Sequence, residues 1–264
     1  MLDANAALIR LLTFGGGLVF FLVMEISAPY RLATVSKLRR WAVNLGLTAL
    51  NTLLLAALFG TAKLALAQHV TQNKLGLLNV HPLPYGLKLL IAVAFLDFML
   101  YVWHLLNHEV PLLWRFHRVH HSDLNMDVST ATRFHIGELF ISALITLGLI
   151  YLIGADPLSV IVFEASLGLC AQFQHSSLKA PAWLEGLWWI LFVPPSMHRI
   201  HHSVKIKERN SNYGTIFSLW DRALGTLLTQ VDQAGIRIGV GGHFDAGKLG
   251  LGRLLVMPFT RYVR

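Results

Sequence analysis

The sequence is poor in charged residues and has almost no cysteine. Charged side chains make up 14% of the 264 residues, whereas an average soluble domain carries about 25%. The single cysteine, Cys170, excludes a disulfide framework and any zinc or iron–sulfur site built from several thiolates. Because Cys170 lies within an apolar run, we expect it to be a small buried side chain.

Long apolar runs dominate what the sequence does contain. Hydrophobic residues make up 55% of the chain and its mean hydropathy is +0.55, which indicates an integral membrane protein. Three runs are predicted to span the membrane, and they begin at residues 8, 41 and 87 and end near residues 26, 60 and 106. Residues 138–153 and 157–172 are predicted to form a helical hairpin, because a Gly-Ala-Asp-Pro turn joins them. The tryptophan-rich residues 184–193 suit an interfacial helix.

Basic residues indicate how the chain crosses the membrane. The net charge is +8, and many basic side chains flank apolar runs, which favours contact with anionic lipid headgroups over binding of nucleic acid. The short loop of residues 29–40 contains Arg31, Lys37, Arg39 and Arg40, so we expect it to be cytoplasmic. Alternation from there places the end of the third span and both ends of the hairpin on the cytoplasmic face.

Eight histidines form three clusters at the ends of the apolar runs. The clusters read His104-x-x-x-His108, His117-x-x-His120-His121 and His198-x-x-His201-His202. Spacings of three and four residues place side chains on one face of a helix, and neutral imidazole is the commonest protein metal ligand. Eight ligands are too many for one ion, and the predicted topology brings all three clusters to one face of the membrane. The sequence therefore predicts a two-metal site with walls of histidine.

The ends of the predicted hairpin add further candidates. His135 and His175 flank the hairpin on the same face as the clusters, so both are candidate ligands. Glu138 follows His135 by about one helical turn, and Glu164 shares a helix face with His175. We expect these two glutamates to orient the ligands. The remaining histidines lie outside the pattern and are expected to have no role in the site; they are His69, His81 and His243.

A polar stripe runs along the third predicted span. Asp97, Tyr101, His104 and His108 are spaced four, three and four residues apart, which places them within a narrow arc of the helix. A carboxylate deep in an apolar run is costly and by default functional. We expect Asp97 to accept a ring N–H from a ligand and so to fix its tautomer, with Tyr101 beside it. The alternative is a hydrogen bond between helices.

The clusters and their surroundings resemble the fatty acid hydroxylase / sterol desaturase superfamily of membrane di-iron oxygenases. The resemblance covers roughly residues 87–226. Besides the three clusters, it depends on short matching segments, namely Leu96-Asp97-Phe98, Arg133-Phe134-His135 with Glu138, Gln174-His175-Ser176, Asn212-Tyr213-Gly214, and Trp220-Asp221-Arg222 followed by Gly225-Thr226. Ligand type alone does not identify the metal, since imidazole also suits zinc, copper and nickel, so iron rests on this resemblance.

The resemblance implies two irons, O₂ as co-substrate, a lipid substrate and an electron supply. The ligands that it implies are His104, His108, His117, His120, His121, His175, His198, His201 and His202, with His135 as a tenth candidate. We expect zinc to replace iron in some preparations. The segment His81-Pro82-Leu83-Pro84 is not a haem motif, so the electrons are expected to come from a separate donor protein.

Together these patterns predict an all-α integral membrane bundle, with about four transmembrane helices or helical hairpins and a cytosolic, histidine-rich helical cap. We divide the chain into N-terminal membrane helices at 1–86, a catalytic domain at 87–230 and a C-terminal tail at 231–264. The predicted location is the inner membrane of a bacterium. Two other functions stay open, and they are a membrane metal transporter or metal-binding protein, and a family member that keeps its metals without catalysis.

Overall fold

A computed structural model describes residues 2–261. Within that range the regular secondary structure is helical, and the β-structure consists of isolated bridges alone. The α-helices are α1 (Leu2–Leu11), α2 (Gly17–Ser27), α3 (Lys37–Phe59), α4 (Ala62–Gln72), α5 (Tyr85–Glu109), α6 (Pro111–His121), α7 (Ile136–Ile153), α8 (Pro157–His175), α9 (Ala182–Leu191), α10 (Pro195–His201), α11 (Ile206–Arg209), α12 (Leu219–Leu224) and α13 (Leu251–Val256). A π-helical turn at Leu12–Gly16 joins α1 to α2. The all-α prediction is confirmed.

Five helical segments in the described range are long and apolar enough to cross a membrane. They are Ala6–Ser27, Lys37–Asn79, Tyr85–Glu109, Ile136–Ile153 and Pro157–His175. Their outward faces carry exposed apolar side chains such as Phe20, Leu53 and Leu90, which would be unfavourable in water but suit a lipid environment. The bundle therefore contains the three predicted spans and the predicted hairpin.

Local sequence signals set the ends of these helices. Gly60 ends α3 with a φ of 46°, at the predicted end of the second span. Gly154 ends α7 in the left-handed conformation, which glycine adopts without steric cost. The Asp156 side chain then accepts hydrogen bonds from the first backbone N–H groups of α8, and Pro157 occupies the first turn. This turn produces the predicted hairpin.

The apolar core of the bundle lies at the end remote from the histidine clusters. It includes Leu64 of α4, Ala92 of α5, Ile150 of α7 and Val160 of α8, all of them buried. Burial of such side chains stabilises the bundle by roughly 25 cal/mol per Å² of apolar area. The core fixes α4, α5, α7 and α8 against one another, and α5 and α8 carry predicted ligand histidines at their other ends.

An ion network ties the cap to α3. The Arg40 guanidinium donates to Asp123 at 2.5 and 2.8 Å and to Asp127 at 2.6 Å, and all three side chains are buried. Burial alone would raise the pKa of Asp123, but the charge and hydrogen bonds of Arg40 hold it below its usual range. Asn44, one turn after Arg40, also donates to Asp123. The segment that follows α6 is thereby fixed against the membrane helices.

The C-terminal segment packs on α6 and does not extend away from the fold. Leu254 of α13 lies in a buried cluster with Leu47 of α3 and Val119 of α6. The buried Arg118 side chain of α6 donates to the backbone oxygens of Met257 and Arg261. These contacts give the predicted tail, as far as residue 261, a structural function in holding α6.

Asp97 corrects one prediction about the polar stripe. Its side chain is fully buried and faces protein, as expected, but it does not contact a histidine. It accepts hydrogen bonds from the backbone N–H groups of Ile216 and Phe217 and from the indole N–H of Trp220. Two helical turns separate Asp97 from His104, which is roughly 10 Å along the axis and beyond the reach of both side chains. Asp97 therefore anchors the loop before α12.

This anchor leads to a prediction about stability. We expect Asp97→Asn to lower the free energy of unfolding by about 1–3 kcal/mol, because the amide oxygen is a weaker acceptor and the amide NH2 group must face at least one of the three protein donors. Metal content per folded chain should stay at the wild-type level. Thermal denaturation of the detergent-solubilised protein, with metal analysis of the folded fraction, tests both statements. Metal loss from a variant of normal stability would contradict them.

Candidate metal centre

Nine buried histidines gather into two groups at one end of the bundle. Within each group the nearest ring nitrogens all lie within 4.8 Å of one another. The five-histidine group consists of His104, His108, His117, His121 and His201. The four-histidine group consists of His120, His175, His198 and His202. Helices α5, α6, α8 and the cap helix α10 supply these side chains, so residues distant in sequence meet in one centre.

The two His-x-x-His-His repeats contribute to the groups in a reciprocal manner. The first repeat gives its i, i+4 pair, His117 and His121, to the five-histidine group and its middle residue to the four-histidine group. The second repeat does the reverse, since His198 and His202 belong to the four-histidine group and His201 to the other. Side chains four residues apart share a helix face, whereas adjacent ones diverge. Each repeat therefore serves both groups.

The spacing of ring nitrogens fits bound cations. In the four-histidine group, Nε2 of His175 lies 3.1 Å from Nε2 of His120 and 2.9 Å from that of His198. The Nε2 of His198 is in turn 3.1 Å from that of His202. Two ligands at right angles, each about 2.1 Å from a metal ion, would be roughly 3.0 Å apart. Hydrogen bonds among the four rings alone cannot satisfy all of these contacts, whereas a cation that accepts every lone pair can.

Ring nitrogens also converge in the five-histidine group. The Nε2 atoms of His117 and His121 are 3.2 Å apart. The Nε2 atoms of His104, His108 and His201 are buried without a hydrogen-bond partner in the described part of the chain. Unpaired polar atoms cost stability when buried, so their convergence at one point indicates a ligand that the amino acids do not supply.

Four of the nine rings are oriented through their other nitrogen. In each, the Nδ1 atom lies within hydrogen-bond distance of a protein oxygen, so Nδ1 carries the proton and Nε2 keeps a lone pair for a metal. The pairs are His104 with the Tyr213 carbonyl at 2.8 Å, His117 with Glu138 at 2.8 Å, His175 with the Ala171 carbonyl at 2.7 Å and His201 with the Ser211 carbonyl at 2.8 Å.

The electrostatic environment keeps the cap histidines neutral. Burial, reinforced by neighbouring imidazoles, lowers the pKa of His120, His121, His198, His201 and His202 well below the usual value. A protonated ring has no lone pair for a metal, so this depression favours the form that binds one.

Besides Asp97, three predicted site residues have their partners away from the two groups. His135 caps α7 instead, because its Nδ1 accepts from the Gly137 N–H and its Nε2 faces the Leu255 carbonyl at 3.1 Å. Glu164 forms ion pairs with Arg10 and Lys63. The Tyr101 hydroxyl bonds to Thr226, although its ring packs against Tyr213. The structure therefore does not support His135 as a ligand or Glu164 as a partner of His175.

Glu138 is the predicted glutamate that reaches a metal-binding ring, and it yields a second prediction. We expect Glu138→Gln to lower metal affinity or turnover by about 10–100-fold, because the neutral amide is a poorer acceptor for His117 and fixes its ring less well. Competition with a chelator would measure the affinity. Glu164→Gln is the matched control and should leave the affinity unchanged. Equal losses of metal affinity in Glu138→Gln and Glu164→Gln would contradict the statement that Glu138, and not Glu164, supports a histidine of the two groups.

One unit of the site was not recognised from the sequence as a support for the ligands. Asp221 accepts hydrogen bonds from the backbone N–H groups of Tyr213 and Gly214, both at 2.8 Å. This fixes the Tyr213 carbonyl against His104. A Cβ atom at Gly214 would lie 2.7 Å from a backbone oxygen, so only glycine fits there. The two matching segments around Asn212 and Asp221 thus act together, and their separation in sequence hid that role.

Aromatic side chains close the centre. Trp114 of α6 is buried against His108 and His121, with ring centroids 5.1 and 5.5 Å away. The Phe134 ring stacks on His120 at 4.5 Å. These apolar surfaces shield the lone pairs of the rings from water.

A cavity of about 280 Å³ adjoins the centre. Histidines of both groups line it, among them His104, His120 and His198, while the membrane helices supply apolar walls such as Leu100 and Leu139. The Gly168 position on α8 leaves open space beside the cavity. An apolar chain that enters from the bilayer could therefore reach both histidine groups.

Known proteins share the sequence of this centre. The profile of the fatty acid hydroxylase family matches residues 89–226. The chain is 35% identical over 183 residues to the ornithine lipid hydroxylase OlsE of Rhizobium tropici, covering 67% of this chain and 52% of that protein. It is 30% identical over 146 residues to human cholesterol 25-hydroxylase, covering 53% and 51%. It is 33% identical over 144 residues to alkylglycerol monooxygenase of Danio rerio, covering 54% and 31%.

The chain thus spans about half the length of the first two of these relatives and less of the third. No solved structure matches it.

Proposed function

Because the chain belongs to the fatty acid hydroxylase family, we propose that it is a membrane-bound di-iron oxygenase that acts on a C–H bond of a lipid. The observation that carries this proposal is the apolar cavity walled by histidines of both groups. Hydroxylation and desaturation both fit this arrangement. Both reactions consume O₂ and electrons, and a separate donor protein would deliver the electrons.

The five-histidine and four-histidine groups would each hold one iron. When bound, the two irons would supply the redox chemistry that activates O₂. The protein's own contribution is to gather nine buried imidazoles at one place, with Glu138 and three backbone carbonyls fixing the tautomers of four of them. Trp114 and Phe134 exclude water from the centre. Such exclusion protects a reactive oxidant from side reactions.

The cavity itself indicates which part of the lipid reacts. Its apolar walls come from α5, α7 and α8, so they would bind a hydrocarbon portion and orient it towards the histidines. Two buried amides at the cavity, Asn107 and Gln174, have side-chain oxygens without a hydrogen-bond partner in the described part of the chain. These oxygens would accept hydrogen bonds from a polar group of the substrate. The substrate is therefore proposed to be a lipid with a polar group near the reacting carbon.

The alternative of metal transport fits the site less well. Transporters usually bind their substrates near the membrane midplane on interrupted helices. The ligands here lie at the ends of continuous helices and in the cap, and all nine are buried.

The basic loop that contains Arg31 lies beside the cap and bonds to residues 233–236. We therefore propose that the centre faces the cytoplasm, where an electron donor could reach it, in a bacterial inner membrane.

Metal stoichiometry tests the foundation of this proposal. We expect two metal ions per chain, iron in the active protein and zinc in part after overexpression, because imidazole discriminates poorly between them. Elemental analysis of anaerobically purified full-length protein measures the ratio. A ratio of one, or spectra dominated by carboxylate ligands, would contradict the two groups as metal sites.

Isotopic labelling tests the reaction. The iron-loaded, full-length protein would be reduced and incubated with a lipid extract under isotopically heavy O₂. Hydroxylation would insert one heavy oxygen atom into a lipid, whereas desaturation would remove two hydrogen atoms from a lipid. Either product, dependent on iron and O₂, supports the proposal. Two bound irons without any change in the lipids would refute the oxygenase function while leaving the metal sites intact.

A further inference from the structure

A second and larger cavity shares no lining residue with the histidine cavity. Its volume is about 610 Å³, and it is formed by the loop between α2 and α3, the segment after Asn125 and residues 236–244. The histidines of the two metal groups do not line it. The cavity adjoins the end of α2 and the start of α3, where two membrane-spanning segments meet the cap.

Positive charge exceeds negative charge in this cavity. Two of its basic residues are neutralised, since Lys37 pairs with Glu25 and Arg40 pairs with Asp127. The other three lining cations form no ion pair with a carboxylate in the described range. These cations are Arg31, Arg199 and Arg237.

Arg199 is the most informative of the three. Its side chain is 4% exposed, and its guanidinium lies 3.7 Å from the centre of the Tyr30 ring. Nη1 donates to the Gln233 side chain at 2.8 Å, whereas the buried Nη2 has no hydrogen-bond partner. Glu185 of α9 acts on Arg199 electrostatically without reaching ion-pair distance. Burying a guanidinium that has an unpaired N–H donor costs free energy unless a bound anion accepts a hydrogen bond from it.

The other two arginines are held in place around it. Arg31 donates to backbone oxygens of residues 233, 234 and 236, which fixes its charge at the cavity wall. Arg237 stacks on the Phe244 ring at 3.8 Å. Guanidinium groups bind phosphate through directed hydrogen bonds, so a cavity lined by three of them is suited to a phosphate group.

We propose that this cavity binds the phosphate-bearing headgroup of an anionic phospholipid. Basic pockets between membrane helices on the cytoplasmic side are suited to such headgroups, and this one lies where α2 and α3 leave the membrane-spanning region. The lipid bound here is distinct from the substrate in the histidine cavity, because no residue lines both cavities. It would brace the loop between α2 and α3 against the cap.

A binding experiment on the full-length, metal-loaded protein in detergent tests this site. The probes are short-chain phosphatidylglycerol, short-chain phosphatidylcholine and inorganic phosphate. We expect saturable binding of phosphatidylglycerol and weaker binding of the other two. Arg199→Gln and Arg237→Gln should each weaken phosphatidylglycerol binding by about 10-fold, because each removes a charge-assisted contact. Arg253→Gln, an exposed arginine outside the cavity, should have no effect.

Two arginine variants are used so that the site can still be tested if one of them misfolds. Arg237 is exposed and makes its described side-chain contact with Phe244, so its replacement should leave the fold intact even if Arg199→Gln does not. Equal affinity for inorganic phosphate and phosphatidylglycerol would overturn the lipid assignment in favour of a soluble anion. Unchanged binding in both Arg199→Gln and Arg237→Gln would overturn the site itself. Neither result depends on oxygenase activity.

Discussion

Replacement of a single proposed ligand in either group, by His201→Ala or His120→Ala, is expected to abolish turnover. His201 belongs to the five-histidine group and His120 to the four-histidine group, so the pair tests both metals. We expect His120→Ala to lose more metal than His201→Ala, because three ligands remain in its group and four in the other. Elemental analysis and the labelled-oxygen assay measure the two effects.

Membrane insertion should survive both substitutions. Apolar runs drive insertion, and neither His120 in α6 nor His201 in α10 lies within a membrane-spanning segment. His243→Ala is the control, since this histidine lies outside both groups; it should retain nearly full activity. Inactivity of His243→Ala to the same degree would show that the division between ligands and other histidines is wrong.

A larger side chain at Gly168 is expected to block the substrate while sparing the metals. A Cβ atom there meets nothing within 4 Å, and the residue lines the histidine cavity. The side chain in Gly168→Leu would occupy part of the 280 Å³ that the lipid needs. We expect kcat/KM to fall by about 100-fold or more, because a small displacement of the reacting carbon is sufficient for such a loss. Metal content should remain at two per chain.

Gly148→Leu provides the matched control for this prediction. Gly148 lies in α7, also has open space around its Cβ position and does not line the cavity. The same substitution there tests the general cost of leucine in a membrane helix. Normal activity of Gly168→Leu would show that the lipid binds elsewhere, whereas metal loss in that variant would show that the cavity and the metal centre are not independent.

Helical periodicity was sufficient to predict which histidines come together. The i, i+3 and i, i+4 spacings identified eight of the nine histidines in the two groups, and the charge-based topology added His175, because these signals act within one helix or one loop. The division into two groups could not be predicted. It depends on how α6 and α10 face each other, and a sequence does not record the angle at which two helices cross.

The errors have the same origin. His135 and Glu164 lie at plausible positions along their helices, but His135 caps α7 and Glu164 faces Arg10 and Lys63. For Asp97, the predicted helix face was right but the predicted partner was wrong. The segment around the start of α12 meets α5 at Asp97 and supplies the hydrogen-bond donors there. Helix phase gives the direction of a side chain and leaves open which distant segment will meet it.

Under the proposed two-metal function, the reciprocal division of the two repeats would make metal loading a cooperative process. Helix α6 carries histidines of both groups, and so does the segment from His198 to His202. The first ion to bind would order both, and the second would then meet ligands that are already positioned, so the two occupancies would form one linked equilibrium. Cells starved of iron would accordingly contain chains that are empty or doubly loaded, and singly loaded chains would be scarce.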